Sequence, residues 1–99
     1  MVWAWFDASE AERMGLAFAD IIAAGFPGIE RKNPEKTVVA RAKVLEDLFA
    51  QARQFRQTQK PNMYKRAKLG NAFKWRLLDQ DFEPAFVNDL ATKLLVQMK

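Results

Sequence analysis

The chain has 99 residues, of which 49% are hydrophobic and 28% are charged, a balance typical of one folded domain rather than of a disordered chain. It contains no cysteine and no histidine, which excludes a disulfide, a zinc site built on thiolates or imidazoles, and catalysis by either residue type. The formal net charge is +4.

The sequence predicts neither a targeting signal nor a membrane span. The opening stretch MVWAWFD is apolar, but it is short and lacks a basic leader, so we expect no signal peptide. No run of the sequence approaches the ~18 apolar residues of a membrane span. We therefore expect a soluble cytoplasmic protein, and the absence of cysteine is consistent with a reducing compartment.

The charge is distributed unevenly along the chain. Residues 1–30 carry one base and five acids, residues 31–76 carry thirteen bases and three acids, and residues 77–99 carry two bases and four acids. Between Asp47 and Asp79 there are eight basic residues and no acidic one. Such asymmetry bears on partners and solubility rather than on fold.

The first predicted helix begins at Asp7 or at Ser9, since each is followed three residues later by a glutamate in the pattern of a capping box. Its apolar face is formed by residues at helical spacing: Met14, Phe18, Ile21 and Ile22. Gly25 and Pro27 predict its end, because glycine can adopt a left-handed conformation there and proline cannot continue the helix.

The same helix carries a second stripe that contains only small residues four apart: Ala11, Gly15, Ala19 and Ala23. Such a stripe allows another backbone to come close, either within the domain or at an interface between subunits. A third interpretation is that alanine is simply a good helix former. The three N-terminal aromatic residues Trp3, Trp5 and Phe6 are expected to cover one end of the core, and the alternative is an exposed anchor for a partner protein.

The second predicted helix follows the connection GFPGIERKN. Asn33 is a predicted N-cap and Pro34 the first helical residue, and the helix is expected to end near Gln57. Its apolar stripe is broad, which suits a helix with two neighbours in a bundle. The stripe contains Val38, Ala42, Val44, Leu45, Leu48, Phe49, Ala52 and Phe55.

The third predicted helix begins at Pro61 or Asn62 and ends near Leu78. The fourth begins at Pro84, with Glu83 as its cap and with Phe82 and Val87 placed to form a hydrophobic staple. Its core face is formed by Phe86, Val87, Leu90, Leu94 and Met98. With no convincing strand, the chain is predicted to form an all-α, single-domain bundle of four amphipathic helices spanning residues 1–99.

The third helix contains the stretch NMYKRAKLGNAFKWR, in which five of fifteen residues are basic and none is acidic. On a helical wheel, one side gathers the predicted core positions Met63, Ala67, Leu69, Gly70, Phe73 and Leu77. A basic stripe of Lys65, Lys68 and Arg76 lies opposite, around Ala72. Tyr64 and Trp75 lie at the edge of this stripe, beside Lys68. The stripe is typical either of a surface that meets a phosphate backbone or of an ordinary solvated helix face.

Two basic residues of this helix, Arg66 and Lys74, fall on its apolar side. Either the helix breaks at Gly70–Asn71, or it is continuous and these side chains extend across apolar surface to a carboxylate. We favour the continuous helix. The N-terminal region offers three acceptors, which are Glu10, Glu12 and Asp20.

The sequence contains no pattern of a catalytic site, a glycine-rich phosphate loop or a specified metal site, and we expect neither enzyme activity nor a cofactor. The leading hypothesis is a small non-catalytic binding protein for RNA or single-stranded DNA. Phosphate contacts are assigned to Lys65, Lys68 and Arg76, stacking to Tyr64 and Trp75, and an extension of the surface to Arg53, Arg56 and Lys60. The alternative is a protein–protein interaction module or homodimer that uses the first helix and the N-terminal aromatic residues.

Overall fold

The computed structural model describes residues 9–99, which form four α-helices and two short 3-10 helices and no strand. The α-helices are α1 (Ser9–Gly25), α2 (Ala42–Gln59), α3 (Met63–Asp79) and α4 (Pro84–Gln97). The 3-10 helices, Gly28–Glu30 and Pro34–Lys36, lie in the connection between α1 and α2. The predicted all-α fold is confirmed. Asp7 and the N-terminal aromatic residues Trp3, Trp5 and Phe6 lie outside the described residues.

The helices are arranged around the bundle in the order α1, α3, α4, α2, and each packs against two neighbours. α1 and α3 run parallel, because Glu12 pairs with Lys68 and, eight residues further along both helices, Asp20 pairs with Arg76. α3 and α4 are antiparallel across the short connection 80–83.

The core is apolar throughout, and no polar or charged side chain among residues 9–99 is fully buried. Its largest members are four phenylalanines: Phe18, Phe26, Phe73 and Phe82. Phe18 meets Phe55 of α2 edge to face, with the ring centroids 6.5 Å apart. Burial of such side chains is the main source of stability in a bundle of this kind.

The small-residue stripe of α1 packs against α3 of the same chain. A Cβ atom at Gly15 would collide with the carbonyl oxygen of Leu69 and would lie 3.0 Å from the Cβ of Ala72. Ala11 and Ala19, one turn to either side, are buried. Of the three interpretations of this stripe, the structure supports close approach of two backbones within the chain.

α1 ends at Gly25 as predicted, but the predicted reason, a left-handed conformation of this glycine, is wrong. None of the described glycines has a positive φ. Gly25 instead lies against Val44 of α2, whose two methyl carbons would be 2.6 and 2.7 Å from an added Cβ atom. The position requires glycine because α2 approaches closely here, and Pro27 prevents the helix from continuing.

The predicted start of the second helix at Pro34 is also wrong. Pro34–Lys36 form only one 3-10 turn, the side chain of Asn33 makes no capping hydrogen bond, and α2 begins at Ala42. The three residues after the turn, Thr37–Val39, are all β-branched, which disfavours the α-helical conformation. α2 then runs to Gln59, two residues beyond the predicted end.

The boundaries of α3 and α4 agree with the prediction. The side chain of Asn62 accepts a hydrogen bond of 2.8 Å from the amide of Lys65, and α3 passes through Gly70–Asn71 without a break. The Glu83 carboxylate accepts hydrogen bonds from two amides of the first turn of α4, and Pro84 is the first residue of that helix. Phe82 and Val87, the predicted staple, are both buried.

Two residues of α3 that the wheel assigns to the core are exposed. Met63 is 77% exposed, and Ala67 also faces solvent. The buried positions are Leu69, Gly70, Phe73 and Leu77, so the core face is narrower than predicted and leaves both residues at its edge.

The connection between α1 and α2 is fixed by Arg31 and by one ion pair. The guanidinium of Arg31 donates hydrogen bonds to the carbonyl oxygens of Ala23, Phe26 and Gln80 and lies over the ring of Phe82. It thereby joins the C-terminal ends of α1 and α3.

This ion pair is formed by Arg41 and Glu30, and a longer one of 4.0 Å joins the exposed side chains of Lys32 and Asp81. Arg41 donates two hydrogen bonds, of 3.0 and 2.7 Å, to the two carboxylate oxygens of Glu30. The hydrogen bond from Arg41 lowers the pKa of Glu30, and the same contact raises the pKa of Arg41. The pair ties the first 3-10 helix to the residue that precedes α2.

Candidate nucleic-acid interface

The outward face of α3 presents two exposed aromatic side chains. Tyr64 is 50% exposed and Trp75 is 66% exposed. They are eleven residues apart, which at a rise of about 1.5 Å per residue places them roughly 16 Å apart along the helix. Because eleven residues are close to three full turns, both rings lie on the same face. We call this surface, with Lys68 and Asn71 between the two rings, the α3 face.

The predicted basic stripe lies beside α1 rather than on the side of α3 farthest from the core. Lys68 approaches Glu12 at 3.8 Å, and the Nε of Arg76 donates to Asp20 at 3.2 Å. Lys65 forms no ion pair with any of the residues from 9 to 99. Two of the three assigned phosphate contacts therefore already have an anionic neighbour in the same chain.

Both ion pairs of the stripe are open to solvent, with 42% to 53% of the side-chain surface accessible in each partner. Exposed pairs of this kind contribute only about 0–1 kcal/mol. Breaking either pair therefore costs little free energy.

Lys68 also interacts with the ring of Tyr64. Its Nζ lies 5.9 Å from the ring centroid, within the range of a cation–π contact. The ammonium group is thus placed between an aromatic ring and a carboxylate.

The remaining candidates, Arg56 and Lys60, lie at one end of the bundle in an open groove of about 510 Å³. The groove is lined by residues of the C-terminal ends of α2 and α4 and of the start of α3: Arg56, Gln57, Lys60, Pro61, Arg66, Met98 and Lys99. We call it the basic groove. Arg53 lies one turn earlier on α2, where it donates a hydrogen bond of 2.9 Å to Gln97 of α4.

Two basic residues of the groove, Arg66 and Lys99, were not assigned to a binding surface from the sequence. Arg66 was expected to reach a carboxylate, but it donates a hydrogen bond of 3.0 Å to the carbonyl oxygen of Pro61 instead. Lys99 lies far from the basic region in sequence and enters the groove only because α4 ends there. The position of Arg66 could have predicted this, because a charged side chain on the apolar side near a helix start must project past the end of the core.

The small residues proposed for a protein interface are covered by packing within the chain. Ala11, Gly15 and Ala19 are buried in the packing of α1, and Ala23 is half-buried. The aromatic members of that set, Trp3, Trp5 and Phe6, lie outside the described part of the chain. Residues 9–99 thus expose no continuous surface made from the small-residue stripe.

Within residues 9–99, no helix is long and apolar enough to cross a membrane, and no three acidic side chains converge as a metal site would require. Comparisons with models of protein families, with curated proteins and with solved structures find no match.

Proposed function

We propose that the protein is a non-catalytic binding protein for RNA or single-stranded DNA and that it contacts the strand through the α3 face. The observation that carries this proposal is the exposure of Tyr64 and Trp75 on one face of one helix. Large aromatic rings are usually well buried, so two of them aligned outwards on a basic helix favour a ligand with aromatic groups of its own.

The spacing of the two rings suits a single strand. A strand that rises about 3.4 Å per nucleotide covers the roughly 16 Å between the rings in about five nucleotides. Bases of a duplex are already stacked on one another and are not free to stack on Tyr64 or Trp75. Asn71 lies between the rings, and its amide can form hydrogen bonds with a base edge.

The charge of α3 supports the same ligand. Lys65 is free of ion pairs with the described residues, and Lys68 and Arg76 hold theirs in exposed, weak contacts. Each phosphate that meets one of these cations releases counterions, so the logarithm of the binding constant should fall with the logarithm of salt concentration by about 0.7 per contact for a single strand.

The first experiment is a titration of labelled, mixed-sequence single-stranded RNA and DNA, followed by fluorescence anisotropy at low and near-physiological salt. Tyr64→Ala and Trp75→Ala should each weaken binding by about 1–3 kcal/mol, the usual contribution of stacking. Val96→Ala is the matched control, because Val96 is 54% exposed but lies on α4. Unchanged affinity in both aromatic variants contradicts the proposal.

A charge-reversal set tests the phosphate contacts. Glutamate at Lys65, Lys68 and Arg76 should weaken binding strongly and reduce the salt dependence of the binding that remains. The control set places glutamate at Lys36, Lys43 and Lys93, which changes the net charge equally. Each set also contains two residues in exposed ion pairs and one without an ion pair to the described residues. In the control set these are Lys43 and Lys93, which are paired, and Lys36, which is not. Equal losses in the two sets would mean that only net charge matters.

The second candidate function is a protein–protein interface, including self-association. The exposed Met63, at 77%, adjoins Tyr64 and adds apolar area to the start of α3. Sedimentation at several protein concentrations tests the self-association, since a homodimer dissociates on dilution and a monomer does not change. A monomer at every concentration removes the homodimer.

A further inference from the structure

We propose that the basic groove is a separate binding site for phosphoryl groups. It lies at one end of the bundle, where α2 and α4 end and α3 begins, whereas the α3 face runs along the side. The site does not require the strand-binding function, because its chemistry is that of an anion in a pocket rather than of a stacked base.

The charged side chains that line the groove are all basic. Four basic side chains line it, those of Arg56, Lys60, Arg66 and Lys99, and none of its lining residues is acidic. No ion pair joins these four side chains to any described residue. Like charges gathered in one concavity repel one another and focus a positive potential there, and a bound anion relieves the repulsion.

Arg66 is the best-positioned donor of the four. Its hydrogen bond to the carbonyl oxygen of Pro61 holds the guanidinium at the groove, and the side chain is half-buried. The other N–H groups of Arg66 have no acceptor among residues 9–99 and can form the two parallel hydrogen bonds that guanidinium groups make with phosphate oxygens.

The walls of the groove strengthen such a contact. Pro61 is buried and Met98 is 1% exposed, so the inner wall of the groove behind the cations is apolar. A low-dielectric wall reduces the screening of the charges in front of it. A phosphate in the groove is therefore bound more tightly than one on an open lysine surface.

The backbone at Lys60 is consistent with this site. Lys60 is the C-cap of α2 and has a φ of 45°, a left-handed conformation in which glycine or asparagine is usual. Lysine is less stable than glycine in this backbone conformation, and its side chain lines the groove.

The size of the groove sets the class of ligand. A volume of about 510 Å³ exceeds that of a single phosphate ion and accommodates a pyrophosphate or the terminal phosphate of a strand with its sugar. Both present the same chemistry, namely tetrahedral phosphorus with several charged oxygens. The two experiments below distinguish free pyrophosphate from the terminal phosphate of a strand.

The first arm titrates the full chain with inorganic pyrophosphate by calorimetry at constant ionic strength. We expect saturable binding that falls at least tenfold in Arg56→Gln and in Lys60→Gly. Lys60→Gly removes a cation without disturbing the helix end, since glycine suits a positive φ. Lys36→Gln, at the opposite end of the bundle, is the charge control and should bind normally. Binding that is insensitive to the groove variants, or equally sensitive to Lys36→Gln, overturns the proposal.

The second arm compares single-stranded oligonucleotides that differ only in a 5′-phosphate or a 5′-hydroxyl. A preference for the phosphorylated strand that disappears in Lys60→Gly assigns the groove to strand ends even if free pyrophosphate does not bind. Absence of both pyrophosphate binding and this preference overturns the proposal. Tyr64→Ala and Trp75→Ala should leave pyrophosphate binding unchanged, so failure of the strand-binding function is distinguishable from failure of the groove.

Discussion

The carbonyl oxygen of Leu69 occupies the space that a Cβ atom would need at Gly15. The contact lies in the parallel packing of α1 on α3, the helix pair on which the geometry of the α3 face depends. Because the obstacle is backbone rather than the end of a flexible side chain, α3 cannot yield locally. Any side chain at Gly15 must separate the two helices.

Gly15→Ala should therefore destabilise the protein by about 1–3 kcal/mol, the usual effect of overpacking, even though alanine gains up to about 1 kcal/mol in helix propensity. Chemical denaturation measures the difference. Gly28→Ala is the control, because an added Cβ there meets nothing within 4 Å. If the two variants are equally stable, the close approach of α1 to α3 is refuted.

Arg31→Met should lower stability by about 1–3 kcal/mol, the cost of leaving carbonyl groups of a partly buried helix end without a donor. Methionine retains most of the apolar length of the side chain, so packing against Phe82 changes little and the loss reports the hydrogen bonds to Ala23, Phe26 and Gln80. Thermal unfolding gives the comparison. Lys32→Met, at an exposed neighbour, should have almost no effect.

The Glu30–Arg41 pair makes stability depend on pH on the acid side. The pKa of Glu30 is lowered in the folded protein, first by the hydrogen bond from Arg41. The folded state therefore holds the proton less tightly than the unfolded chain does. The contribution is fully present above the ordinary pKa of a glutamate and is lost as the pH falls through the lowered value.

Glu30→Gln should accordingly lower stability at neutral pH and flatten the acid side of the stability curve. Denaturation at a series of pH values provides the measurement. Glu35→Gln is the control, since Glu35 forms no ion pair with residues 9–99 and its loss should leave the curve unchanged. A parallel displacement of the whole curve in Glu30→Gln would contradict this assignment.

Two carboxylates of α1, those of Glu12 and Asp20, pair with two cations of α3, Lys68 and Arg76. If the α3 face binds nucleic acid, the pair of changes Glu12→Gln and Asp20→Asn should increase affinity and make the salt dependence steeper, because Lys68 and Arg76 are released for phosphate. The control pair Glu46→Gln and Asp89→Asn adds the same charge at a distance from α3. Anisotropy should show a larger gain for the α1 variants.

Local chemistry explains which elements the sequence predicts well. α3 and α4 begin where Asn62 and Glu83 supply side-chain caps, and these caps act over three residues that are adjacent in the chain. The start of α2 was misplaced because Asn33–Pro34 is an equally good local signal, whereas the β-branched residues after it prevent propagation. A correct start signal does not guarantee a helix beyond its first turn.

The candidate site was predictable only in part, because its arrangement is tertiary. The periodicity of α3 places Tyr64, Lys68 and Trp75 on neighbouring positions without knowledge of other helices. That α1 lies beside the basic stripe depends on Gly15 and cannot be read from α3. The basic groove requires three helix ends to meet, and Lys99 joins it from the far end of the sequence.

The parallel pairing of α1 with α3 also has a kinetic consequence. Both of its ion pairs join residues that are 56 positions apart, whereas α3 and α4 are neighbours across four residues. Contacts that close long loops form late, so the α3–α4 hairpin should be structured in the folding transition state and α1 should dock afterwards. Gly15→Ala should then accelerate unfolding and leave the folding rate nearly unchanged in stopped-flow experiments. By the same argument, α1 would be the first helix to detach from the native bundle.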